Sequence, residues 1–152
     1  MILYSTKNQH LKASLEEAVF RSLPPDNGLY MPEYIPQIST EFLNKIENLT
    51  FNEIAFEVSK TLLSEDIPES DIRLIVERAF DFDAPVVPIE DKTYCLELFH
   101  GPSMAFKDFG ARFMASLMSY FLVRSQKEIH ILVATSGDTG GAVAQGFHNV
   151  PG

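Results

Sequence analysis

The sequence holds one cysteine, Cys95, in 152 residues. An internal disulfide is thereby excluded, and no grouping of Cys, His and acidic side chains has metal-ligand spacing, so no metal site is expected. Basic residues are also scarce, with 12 Lys and Arg against 21 Asp and Glu and a formal net charge of -9. That balance argues against a general binder of nucleic acid or of anionic membranes, and any anionic ligand must be held locally. Long apolar runs are missing. The stretch from Phe113 to Val123 is too short to span a bilayer, and no basic segment leads into an apolar run near Met1. A reducing, cytoplasmic setting is therefore expected. Internal repeats, low-complexity tracts and flexible linkers are absent from the sequence.

What the chain does have is a core. Hydrophobic residues make up 45% and charged residues only 22%, enough apolar surface for a folded domain. Met1 to Tyr4 reads as a short strand, and Ser14 with Glu17 forms a capping-box pattern for a helix to about Ser22. The segment from Pro24 to Pro32 then bars helix continuation, and its Asn27-Gly28 pair predicts a tight turn with positive backbone angles. Taken by itself it reads as a connector. Ser39 or Thr40 is expected to cap a short helix through Glu47. Thr50 with Glu53 should cap a longer one presenting Ile54, Val58 and Leu62, and Pro68 to Asp71 should open a third with Ile72, Ile75, Val76 and Ala79 inward.

The pattern changes at Asp81. Residues 81–92 look like a junction with a short extended piece, so the chain is expected to divide into a helix-rich region with short strands, 1–80, and an α/β region, 81–152. Tyr94 to Phe99 predicts a strand in which Cys95 is buried. A loop containing Lys107 follows, then a helix from Asp108 to about Arg124, a strand from Glu128 to Ala134, a small-residue turn from Thr135 to Gly141, and a last helix. This alternation predicts a parallel sheet, with both loops at the carboxyl ends of strands and hence on one edge. A parallel sheet covered on both faces needs more elements than these. A fragment of a longer polypeptide is therefore expected.

Two stretches carry chemistry. Lys107 stands between Phe106 and Phe109 at a helix start, where lost solvation and the positive helix end both favour an uncharged, nucleophilic amine able to react with an aldehyde cofactor. The plainer alternative is a helix-start lysine paired with Asp108. The turn Ser136-Gly137-Asp138-Thr139-Gly140 opens a helix whose backbone N–H groups would suit an anion, or it is a tight turn selected for packing. It lacks the Gly-Lys-Ser/Thr ending of a Walker loop. His100 reads either as a phosphate contact or as a satisfied loop histidine, Arg112 as a phosphate contact or the partner of a surface acid, and Asp108 as a helix-start acid.

Three motifs in order, Pro24-Asp26-Gly28-Leu29-Tyr30-Met31-Pro32, the Phe99 to Phe113 stretch, and Ala134 to Ala144, resemble those of the threonine synthase family. The resemblance covers nearly the whole chain. It implies the N-terminal part of a pyridoxal-phosphate enzyme of fold type II, the tryptophan-synthase-β-like fold. Lys107 would hold pyridoxal 5'-phosphate through its amine and carry protons, and Asp138 would lie near the cofactor's 3-oxygen. Ser136, Gly137, Thr139 and Gly140 would hold the substrate's α-carboxylate. The implied reaction converts O-phospho-L-homoserine and water into L-threonine and phosphate. The cofactor-phosphate loop and the pyridine-nitrogen partner would lie beyond Gly152, so the fragment alone is expected to be inactive. Ser103 and Met104 stand where the family often has Thr and Leu. A serine or threonine deaminase or a cysteine synthase would share the lysine logic, but the Pro24 to Pro32 element and Asp138 point away from them. A non-catalytic anion-binding module is the alternative of another class.

Overall fold

A computed structural model describes residues 1–125 and 128–152. The chain divides into two compact units, Met1–Arg73 and Leu74–Gly152. In the first, strands β1 (Ile2–Ser5), β2 (Lys12–Ser14) and β3 (Tyr30–Pro32) form an antiparallel sheet in the order β2-β1-β3. Helix α1 (Leu15–Arg21) starts on Ser14, whose hydroxyl accepts the Glu17 N–H. Glu17 itself pairs with Arg21 one turn on. Only half of the predicted capping box is therefore made.

The segment from Pro24 to Pro32 is more than a connector. Ser5 is fully buried, and its hydroxyl donates to both carboxylate oxygens of Asp26, at 2.7 and 2.9 Å. Asp26 also accepts the Gly28 N–H, while Thr6 N–H donates to the Leu29 carbonyl. A side-chain and backbone latch thus pins this segment to β1. Asn27 has the expected positive φ of 57°, but Gly28 does not; it is required for space instead, since a Cβ there would lie 2.2 Å from Ser5 Oγ.

The Ser5 hydroxyl holds the Asp26 carboxyl below its ordinary range. A depressed folded-state pKa contributes stability above the ordinary carboxylate range and loses it as pH falls through the folded value. Asp26→Asn should therefore destabilise the chain at neutral pH by an amount that shrinks below about pH 4, as urea unfolding across that range would measure. A constant difference would count against the latch.

Helix α2 (Thr40–Leu43) is capped by the Ser39 hydroxyl and ends before a 3-10 turn, Ile46–Asn48, so the single helix expected through Glu47 is broken. Helix α3 (Phe51–Leu63) has the full capping box between Thr50 and Glu53. Its buried face is Phe56, Ser59 and Leu63, whereas the expected Ile54, Val58 and Leu62 are half-buried. The larger apolar area of Phe56 decides the rotation, and the Arg73 guanidinium covers its ring at 3.8 Å. Helix α4 (Glu69–Ala79) buries Ile72, Ile75, Val76 and Ala79 as expected. Each large aliphatic in that stripe contributes roughly 1.5–3 kcal/mol.

In the second unit, β4 (Val86–Glu90) and β5 (Thr93–Leu96) form an antiparallel hairpin. Helices α5 (Lys107–Ser125) and α6 (Asp138–Phe147) follow. The expected parallel sheet is not formed among the described residues: both sheets are antiparallel, and residues 128–135 have no regular structure. A strand exists only through its ladder, and no described strand pairs with Glu128 to Ala134. Cys95 is on a strand, as expected, but exposed, because β5 is paired on one side and covered on neither face. No described helix is long and apolar enough to cross a membrane, and no described cluster of His, Cys, Asp and Glu could hold a metal.

Candidate functional site

Both loops singled out in the sequence belong to the second unit. Lys107 is the first residue of α5 and Asp138 the first of α6. The helices can approach closely because Gly146 lacks a side chain: a Cβ there would lie 3.1 Å from the Ala111 carbonyl carbon. At their N-terminal ends Lys107 Nζ and Asp138 Oδ2 are 3.6 Å apart. The starts of the two helices are therefore close together at these two side chains.

The amine is not enclosed by its phenylalanine neighbours. The Lys107 side chain is 31% exposed, its Nζ lies 5.3 Å from the centre of the Phe106 ring, and Phe106 is itself exposed. A cavity of about 480 Å³, lined in part by Ala115, Met118, Leu122 and Phe147, does not include Lys107 or Asp138. The site is thus an open rim that a ligand can reach.

The loop before α6 is organised by a residue the sequence reading passed over. Thr135 Oγ1 accepts the N–H groups of both Gly137 and Gly140, at 3.2 and 2.9 Å. Two of the amides assigned to an anion are therefore satisfied by a hydroxyl within the chain. Ser136 and Thr139 keep exposed side chains on the same loop. A serine or threonine two residues before Gly-x-x-Gly is a local signal for such a hydroxyl-to-amide turn. Gly137 has a φ of 149°, and both Gly137 and Gly141 have open space where a Cβ would stand, so a planar ligand can approach the backbone there. These features fit an aldehyde cofactor carried on Lys107.

Asp108 is in the first turn of α5, as expected of a helix-start acid, and it also anchors the preceding loop. It is fully buried, and its carboxylate accepts the Ser103 N–H at 2.8 Å and the Ser103 hydroxyl at 2.6 Å. It forms no pair with Lys107. His100 lies 2.7 Å from Glu97 and stacks on Phe99.

Arg112 faces neither loop. Its guanidinium donates to the carbonyls of Ala79 and Arg78 and pairs with Asp81, closing the C-terminal end of α4. A planar fork can serve several acceptors at once and an ammonium cannot. Arg112→Lys should therefore lower stability by about 1–2 kcal/mol, read from the urea midpoint. An unchanged midpoint would leave the guanidinium without this role.

The chain as a whole is similar to known proteins. The chain is 41% identical over 150 residues to threonine synthase of Haemophilus influenzae, covering 99% of this chain and 34% of that protein. It is 38% identical to the Escherichia coli threonine synthase, covering 99% and 35%. The crystal structure of the latter superposes with a TM-score of 0.89 over 99% of this chain and 35% of its own. The pyridoxal-phosphate-bound threonine synthase from Brucella melitensis superposes at 0.91 with 32% identity, over 99% and 33%. The chain spans about a third of the length of the relatives it matches and shares the α/β fold of that third. The family described as threonine synthase N terminus matches residues 3–80, just over half of the sequence, and the chain belongs to that family.

Proposed function

We propose that this chain is the N-terminal third of a pyridoxal-phosphate-dependent threonine synthase that forms L-threonine and phosphate from O-phospho-L-homoserine and water. The observation that carries the reading is the 3.6 Å approach of Lys107 Nζ to Asp138 at the converging starts of α5 and α6, in a chain of this family. Residues 1–80 are the N-terminal region, and 81–152 begin the cofactor-binding domain. Residues 128–134 take their place in a parallel sheet whose other strands the longer polypeptide supplies. The apolar side chains left exposed in the second unit, including Val86, Ile89, Leu96 and Leu132, support that, since a monomer rarely leaves so many large apolar groups in water. A cytoplasmic enzyme inactive as this fragment alone follows.

Lys107 holds the cofactor through its amine, with Asp138 beside it. When bound, the cofactor supplies an electron sink for a carbanion, and the rest falls to side chains. Lys107, released when substrate binds, moves protons at the α and β carbons. The hydroxyls of Ser136 and Thr139, with the backbone at Gly137 and Gly140, hold the α-carboxylate. The amides bonded to Thr135 in this structure contribute only if that hydroxyl turns away.

The full-length polypeptide supplied with pyridoxal phosphate and O-phosphohomoserine should release phosphate and threonine in equal amounts. Formation of 2-oxobutanoate without threonine would reject this reading in favour of a deaminase. Absence of any product, with no cofactor bound, would favour a binding module.

A further inference from the structure

We propose that Asp108 is the positioning residue that aims the Lys107 amine, an inference that rests on the reading of Lys107 as the cofactor-bearing lysine. The carboxylate has no exposed surface, and a buried carboxylate is tolerated only where it is well bonded. Its partners are the N–H and hydroxyl of Ser103, five residues earlier, so it closes the loop that delivers Lys107 into α5. Gly101 completes the seat: a Cβ there would lie 2.5 Å from Asp108 Oδ2. Met104 takes a positive φ of 56° inside this loop, a backbone state that L residues adopt only when the surroundings enforce it.

The consequence for Lys107 is geometric. It is the first residue of α5, in a turn whose Asp108 and Phe109 N–H groups bond back to the Ala105 and Phe106 carbonyls, so the shape of the preceding loop sets the direction in which this turn starts. Adjacent helical residues point about 100° apart. Anchoring Asp108 inward therefore turns Lys107 outward, to where its Nζ meets Asp138. Both Asp108 oxygens are engaged by Ser103 and neither is exposed, so it acts through Lys107 and is not itself a catalytic residue.

The test uses the full-length polypeptide and follows the rate at which pyridoxal phosphate becomes fixed on Lys107 by borohydride, read as peptide mass, alongside a thermal melt. The amine condenses with the aldehyde and one water leaves; borohydride then reduces the C=N bond. Asp108→Ala should slow capture at least about tenfold, since a mis-aimed amine loses its pre-set approach. Asp108→Asn keeps the shape, with its oxygen on the Ser103 N–H and its amide donating to a turned Ser103 hydroxyl, and should recover capture to within about threefold of the unsubstituted rate. Capture at the unsubstituted rate in Asp108→Ala overturns the proposal, as does Asp108→Asn being as slow as Asp108→Ala. If Asp108→Ala does not fold, Ser103→Ala carries the test with an expected slowing of about threefold, and an unchanged rate overturns the proposal. Failure of the unsubstituted protein to be labelled at Lys107 is a different result: it removes the proposed function itself.

Discussion

Replacing Lys107 with alanine is expected to abolish covalent capture of pyridoxal phosphate by the full-length polypeptide and to lower turnover by about 10³-fold or more, because one amine both carries the cofactor and moves the protons. The neighbouring structure should survive. Lys107 is at the start of α5, about a third exposed, and its ion pair with Asp138 joins two partly or largely exposed groups, so its loss costs little stability. A melting profile unchanged from the parent together with absent borohydride labelling separates chemistry from folding. Labelling that persists on another lysine would move the site elsewhere. Asp138→Asn offers a graded companion: the side chain keeps its size beside the amine but loses its charge, so capture should continue at an altered rate.

The parts of this arrangement legible in the sequence are the ones set by local rules. Ser14, Ser39 and Thr50 announce helix starts because their hydroxyls need reach only three residues ahead. The inward stripe of α4 follows from period alone. The meeting of Lys107 and Asp138 is legible only in part: each residue reads as a helix start, but the sheet edge expected to bring the two together is not formed among the described residues. What escaped depends on distant partners. Asp26 finds Ser5 across 21 residues, and nothing near Pro24 signals that a hydroxyl on the first strand is waiting. Arg112 finds the end of α4 more than thirty residues back, which its helical position cannot indicate. Asp108 reads correctly as a helix-start acid, but its burial and its bonds to Ser103 do not show, because an exposed helix-start acid and a buried loop anchor have the same local sequence. The parallel sheet is not formed among the described residues: Glu128 to Ala134 has strand composition, but composition cannot supply a neighbouring strand.

Gly28→Ala should be among the most disruptive small substitutions in the first unit. The added methyl would lie 2.2 Å from Ser5 Oγ and 3.1 Å from both Asp26 Oδ1 and the Lys7 nitrogen. Ser5 cannot simply swing aside, because it is fully buried and its hydroxyl is shared between the two Asp26 oxygens. Either the hydroxyl leaves the carboxylate or the segment from Pro24 to Pro32 lifts from β1, and a cost of about 2–3 kcal/mol is expected, at the upper part of the range for overpacking. The cause can be isolated by a double-mutant cycle. Ser5→Ala alone loses the bonds to Asp26 and should cost about 1–2 kcal/mol, but it also removes the atom with which the new methyl collides. The double variant Ser5→Ala/Gly28→Ala should therefore be more stable than the sum of the two single effects predicts, with a coupling of about 1 kcal/mol or more. Additive urea midpoints would mean that the two residues do not meet, and that the cost of Gly28→Ala comes from the Asp26 carboxylate and the Lys7 amide instead.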